Sequence, residues 1–251
     1  MADTTIIDDV REQFGPRFVP ARLEAEAEAR QFLNDHVGSM DAGQIVDLGR
    51  LFNRHEKAGR TRQDRFTPGF TGAIMAKLGN DAQRFNHVVA ELWRSPMPNA
   101  LDLLGQIYAD RSIFPHAGSS LPSMLLYLRD SERFGICVNA TMNGLRALTG
   151  IRYRALNREH YERFCTDLRA WREENGVAPQ EADAILTNLM RAARAETDPP
   201  PITRALSLSA EEVAAACYLS VEQIDQWVEA LHTGMKQAVF HGPPGTGQTF
   251  V

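Results

Sequence analysis

Apolar side chains recur along this chain at intervals of three and four, and almost never at intervals of two. Phe85, Val88, Val89, Leu92 and Trp93 follow the rhythm of one helix face, and Ala100, Leu103, Leu104, Ile107 and Tyr108 repeat it. Ala182, Ile185, Leu186, Leu189, Met190 and Ala193 form a third stripe, and Tyr161, Phe164, Cys165, Leu168 and Trp171 a fourth. Asp41 with Gln44 marks a helix start ahead of Ile45, Leu48, Leu51 and Phe52. Pro122 suits the first turn of a helix carrying Met124, Leu125 and Leu128. Ser220 and Gln223 have capping-box spacing and open a helix with Ile224, Trp227, Val228 and Leu231 on one face. The alternating Glu/Ala run at 24–29 reads as a helix-forming surface. Only Ala238-Val239-Phe240, near the end, is β-prone. The pattern predicts an all-α fold: a multi-helix N-terminal domain, then a C-terminal helix leading into one short β-strand.

Breaks in the pattern divide the chain. Residues 1–20 read as an N-terminal arm and 21–195 as a helical recognition or assembly domain. The stretch 196–204 contains Pro199, Pro200 and Pro201, which stop a helix and hold an extended spacer, so it reads as a linker. Residues 205–251 form a second, shorter segment. Within the helical domain, loops are expected at 59–72, at 95–98 and at 111–120, where turn-forming residues gather.

The second segment ends in the densest chemical pattern of the chain, Gly242-Pro243-Pro244-Gly245-Thr246-Gly247-Gln248-Thr249. Its spacing is that of a phosphate-binding P-loop with Gln248 where the pattern carries lysine. Glycines let successive backbone N–H groups face a phosphate, and the start of a following helix adds its dipole. The hydroxyl of Thr249 occupies the place of the Mg²⁺ ligand. Gln248 donates a hydrogen bond but cannot neutralise phosphate charge, so nucleotide binding is expected to be weak or absent.

The run from Lys236 through Val251 resembles the opening of an AAA+ ATPase module, more narrowly its McrB-like branch. The helical stretch 117–130 is also similar to segments ahead of AAA+ modules in that group. The resemblance implies a variable N-terminal region that binds DNA or a partner, and a motor that uses ATP or GTP with Mg²⁺. It also implies a nuclease partner subunit, a homo-oligomer and a role in DNA restriction. The sequence stops at Val251, two residues past the hydroxyl of Thr249, so the nucleotide-binding module is expected to be incomplete here. This chain by itself is then expected not to hydrolyse ATP or GTP. A stand-alone helical scaffold, or an inactive piece of an interrupted AAA+ gene, fits the same residues.

Composition narrows the remaining classes. Hydrophobic residues make up 43% and charged residues 24%, as in ordinary globular domains, and no apolar run suffices to span a bilayer. No signal-peptide pattern opens the sequence, so a cytoplasmic protein is expected. The formal charge of −5 excludes global basicity, so contact with DNA would have to be local. Arg50, Arg54, Lys57, Arg60, Arg62 and Arg65 supply such a patch against only Glu56 and Asp64. It reads either as a phosphate-contacting loop or as a solvated one. Arg152, Arg154 and Arg158 around Tyr153 form a weaker basic cluster, and Ala117-Gly118-Ser119-Ser120 either a phosphate-facing turn or a small-residue hinge. Cys137, Cys165 and Cys217 show no metal or disulfide spacing and read as buried thiols. The seven histidines lack any metal-binding spacing.

Overall fold

The fold is given by a computed structural model that describes residues 4–52, 72–197, 209–211, 214 and 220–233. Every regular element among them is a helix, as the apolar periodicity predicts. The expected strand at 238–240 and the proline-rich linker lie outside the described residues. Residue contacts divide the chain into two units, 1–197 and 198–251.

In the first unit the described helices are α1 (Thr4–Phe14), α2 (Phe18–His36), α3 (Ala42–Phe52), α4 (Gly72–Gly79), α5 (Ala82–Arg94), α6 (Met97–Ala109), α7 (Ser120–Arg129), α8 (Asn139–Thr149), α9 (Arg158–Asn175) and α10 (Pro179–Thr197). In the second unit one helix, α11 (Val221–Thr233), is described.

Helix α7 is the innermost element of the first unit. Its residues from Leu121 to Leu128 are all buried, as befits a helix that is apolar on every side. Helices α2, α5 and α6 pack around it. One continuous apolar core runs from Ile7 on α1 to Leu189 on α10 and includes Phe52, Phe85, Phe114 and Phe164. Each such large apolar side chain contributes roughly 1.5–3 kcal/mol through burial.

Close helix approaches depend on small residues. Gly144 on α8 lies so near α10 that an added Cβ would collide with the Leu186 carbonyl. That absence of a side chain explains why α8 and α10 form the most extensive helix pair in the unit. The Glu/Ala run of α2 works similarly and corrects its reading as a surface: Ala25, Glu26 and Ala29 are fully buried. Alanine at 25 and 29 lets neighbouring helices approach, and Glu26 goes in with them.

The helix ends are closed by local side chains. Asp41 and Gln44 exchange hydrogen bonds with each other's backbone N–H groups at 2.8 and 3.0 Å, a complete capping box at the start of α3. Asp81 accepts the Arg84 N–H at 3.1 Å and opens α5. Guanidinium groups close two C-termini, where orphan carbonyls and the helix dipole favour a cation. Arg129 donates to the carbonyls of Leu92 (2.6 Å) and Ser95 (2.8 Å) at the end of α5, and Arg30 donates to Leu128 of α7 (2.6 Å).

Residues 4–14, within the segment read as an arm, form α1. Its Ile7 and Val10 are buried in the core, and Phe14 stacks on Phe18 of α2 with centroids 4.7 Å apart. Arg11 donates to both carboxylate oxygens of Glu181, at 2.9 and 3.1 Å, tying α1 to α10.

Candidate functional site

The glycine-rich run and its surroundings, from Gly242 to Thr249, lie outside the described residues, and so do Arg54, Lys57, Arg60, Arg62 and Arg65. Arg50 is described. It is exposed at the end of α3 and donates to Asp47 at 2.7 Å, an i,i+3 surface pair. The helix ahead of the glycine-rich run is α11. Ser220 and Gln223 form its capping box, with bonds of 3.2 and 3.3 Å. On its apolar face Ile224 is buried, Trp227 half-buried and Val228 exposed.

In two smaller constellations several of the side chains are engaged within the fold, while Arg152 and Arg154 remain exposed. Arg158 donates to Asp102 (2.7 Å) and to both oxygens of Glu162 (3.2 Å), which raises its already high pKa. Beside it the Tyr153 hydroxyl donates to Asp167 (2.8 Å), and burial with that carboxylate pushes its pKa up to about 12. At 117–120 the Ser119 hydroxyl donates to the Cys137 carbonyl (2.9 Å), while the Ser119 carbonyl accepts from Tyr108 (2.8 Å) and Ser123 (2.8 Å). These atoms are engaged in holding α7 against the segment before α8.

The thiols of Cys137 and Cys165 are buried and free, and Cys217 lies outside the described residues. Burial pushes both thiols up, Cys165 to about 12 and Cys137 further. A thiol that remains protonated at neutral pH is a poor nucleophile. Both act as packing groups.

The most polar part of the interior lies between α2, α7 and α10. Tyr127 donates its hydroxyl proton to Glu26 at 2.5 Å, and the other carboxyl oxygen accepts from Arg30 (3.1 Å) and Gln180 (3.2 Å). One turn earlier, Arg22 reaches both oxygens of Asp183 at 3.1 and 3.2 Å. Burial opposes the charge on Arg22, but Asp183, Tyr127 and Glu26 outweigh it, and its pKa is raised. Burial and the adjacent Glu26 likewise raise the Tyr127 hydroxyl well above its usual value. A cavity of about 20 Å³ beside Arg22, Arg172 and Asp183 has room for one water molecule. This cluster is packed too tightly to admit a larger ligand.

Two larger concavities open on the first unit. A groove of about 500 Å³ is lined by Ile6, Leu148, Ile151, Trp171 and Leu189, with Asp167 and Glu174 at its rim. The indole N–H of Trp171 is buried and has no hydrogen-bond partner. The other, about 360 Å³, lies where the end of α4, the start of α5 and the loop before α7 meet. Buried Leu78, Phe85 and Phe114 form its apolar floor, and exposed Lys77, Arg84 and His116 stand around it. Its volume and mixture of apolar floor with convergent polar groups fall within the range of small-molecule sites.

Sequence reading passes over the residues of the second cavity because they come from three separated stretches. Lys77 and Arg84 carry no motif, and His116 fits no metal-binding spacing. Glu26 has a visible signal, since Arg22, Glu26 and Arg30 follow one another at i,i+4 along α2. Among the described residues no group of three or more His, Cys, Asp or Glu side chains is placed to hold a metal, and no helix is long and apolar enough to cross a membrane. Comparison with family models, curated proteins and solved structures yields no match for this chain.

Proposed function

We propose that residues 1–197 serve as a helical recognition and assembly unit joined to an AAA+-type nucleotide-binding segment, in a protein of the McrB-like restriction kind. The observation that carries this reading is the run Gly242–Thr249, with the spacing of a phosphate-binding loop, following α11 and a β-prone tripeptide. In this reading Gly242, Gly245 and Gly247 shape the loop around the phosphates of ATP or GTP, and Thr249 supplies the hydroxyl for Mg²⁺. Gln248 lacks the cationic group that would steady the outer phosphates, so the affinity is low. The character of the first unit supports binding over chemistry there. Its buried thiols stay protonated, and charged pairs such as Arg22–Asp183 and Arg11–Glu181 fasten one helix to another.

The partner of the helical unit is a DNA backbone, a nuclease subunit or further copies of the chain. For DNA, the contact would come from Arg50, Arg54, Lys57, Arg60, Arg62 and Arg65. Replacing Arg60, Arg62 and Arg65 with alanine then makes the log–log salt dependence of binding shallower by about 0.9 for each phosphate that is no longer neutralised.

The reading is tested by nucleotide affinity. Fluorescent ATP and GTP analogues are titrated with Mg²⁺ into the intact chain and into Gln248→Lys. Restoring a cation beside the phosphates should tighten binding at least about tenfold, and adding Thr249→Ala should remove much of the Mg²⁺ dependence. If Gln248→Lys binds no more tightly than the native sequence, the run is a turn and the chain is better read as a helical scaffold.

A further inference from the structure

We propose that the 360 Å³ cavity between α4, α5 and the loop before α7 binds a small organic phosphate, independently of the glycine-rich segment. The site is built from two chemically distinct parts. Its floor is apolar, with Leu78, Phe85 and Phe114 each at most 4% exposed, and it suits the carbon body of a ligand. Its rim carries two cationic groups from separate helices, Lys77 on the last turn of α4 and Arg84 on the first turn of α5, with the His116 imidazole from the loop beside them.

The charge around this rim is unbalanced. Among the described lining residues the one carboxylate, Asp81, is already occupied: one oxygen accepts the Arg84 backbone N–H at 3.1 Å, and the other faces Arg84 Nε at 3.2 Å. Arg84 Nη1 makes only a long bond of 3.4 Å, to the Ser112 carbonyl. Among the described residues Lys77 has no ion-pair partner. Among the described residues Arg84 therefore keeps N–H donors to spare, and Lys77 all of its own. A doubly charged phosphate fits this imbalance better than a singly charged carboxylate, because it can accept from the Lys77 ammonium and the Arg84 guanidinium together.

The loop that completes the cavity is held in place before any ligand arrives. Asp110 accepts the Ser112 N–H at 2.9 Å, and Arg111 ties the loop to the carbonyls of Gly118 (2.8 Å) and Ala155 (3.0 Å). The Arg111 guanidinium also lies over the Tyr108 ring, 5.0 Å from its centroid. His116 sits at φ = 67°, the only non-glycine residue with positive φ among the described residues. Such a backbone costs on the order of 1 kcal/mol and persists only where its surroundings enforce it. A preformed wall of this kind lowers the ordering cost of binding.

The test is calorimetric titration of the full chain with phenyl phosphate at low ionic strength. Saturable one-to-one binding is expected, with Lys77→Ala and Arg84→Ala each weakening it about tenfold and Arg84→Lys retaining most of it. Benzoate, with a single charge, should bind less tightly. The double variant Arg94→Ala/Arg146→Ala removes two exposed cations elsewhere, so it should leave the affinity unchanged. Thermal melting of each variant verifies that it is folded. The proposal fails if binding is not saturable, if Lys77→Ala/Arg84→Ala binds as well as the native chain, or if the remote double variant weakens binding equally. Tighter phenyl phosphate binding in Gln248→Lys would place the ligand on the glycine-rich run and also overturn the proposal. A failure of Gln248→Lys to gain ATP affinity bears only on the nucleotide reading.

Discussion

Two charged regions of the first unit use the same side-chain types to opposite ends. Between α2, α7 and α10, Arg22 and Glu26 lie inside the protein beside the half-buried Asp183, and each meets a partner of matching chemistry within 3.2 Å. Around the cavity of α4 and α5 the charges of Lys77 and Arg84 face open space, and among the described lining residues the one carboxylate, Asp81, is already engaged. A buried charge without partners would be expelled or neutralised, so each interior charge must meet an opposite one for the fold to exist. At a rim, water screens the imbalance and the unmet demand is left for a ligand. Paired interior charges therefore report on architecture, whereas charges left over around a concavity report on recognition.

The sharpest way to break this contrast is at Glu26. Alanine there strands the Tyr127 hydroxyl and the Gln180 amide in the interior, and a loss of about 3 kcal/mol in unfolding free energy is expected by urea denaturation. Glu26→Gln keeps the shape and some of the bonds and should cost clearly less. If Glu26→Ala is neutral, the cluster is not what joins α2 to α7 and α10.

A smaller effect, with a size set by pH, is expected at Glu181. Burial pushes its carboxyl pKa up, but bonds from Arg11 and from the Ala178 N–H (2.9 Å) outweigh this and hold it below the usual glutamate value. A depressed pKa contributes stability above the ordinary glutamate range, and this stability disappears as pH falls through the depressed value. Glu181→Gln should cost about 1.5 kcal/mol near neutral pH. The gap to the native chain should narrow as pH drops below about 4. A gap of constant size between pH 7 and pH 3 would show that packing, not charge, ties α1 to α10.

The least effect is expected at Arg50. Its pair with Asp47 is solvated on both sides, and Arg50→Ala should alter stability by no more than about 0.5 kcal/mol in the same denaturation. A loss above about 1 kcal/mol would mean that exposed pairs also carry the fold, which erases the distinction.

Much of the architecture is legible in the sequence because apolar periodicity and capping chemistry are local. Phe85, Val88, Val89 and Leu92 are buried as their spacing predicts, and the boxes at Asp41/Gln44 and Ser220/Gln223 form as written. Glu26 escapes such a reading because a search for apolar stripes treats a carboxyl group as surface by default. Its burial depends on Tyr127 and Gln180, which only tertiary packing brings near. The same limit hides the cationic cavity. Lys77, Arg84 and His116 share no spacing rule, and their common concavity arises from how α4, α5 and the loop meet. The glycine-rich run stands out in sequence for the converse reason, since the spacing it carries is a pattern of contiguous residues.

The contrast between the two regions is tested most directly by one thermal-shift experiment with phenyl phosphate on three proteins: the native chain, Glu26→Gln and Lys77→Ala/Arg84→Ala. A ligand that binds only the folded state raises Tm by an amount set by its concentration relative to Kd. The native chain and Glu26→Gln should show equal upward shifts from different starting temperatures. Lys77→Ala/Arg84→Ala should melt where the native chain does and show almost no shift. A shift that persists in Lys77→Ala/Arg84→Ala, or that vanishes in Glu26→Gln, would contradict the division between charges that build the fold and charges that await a ligand.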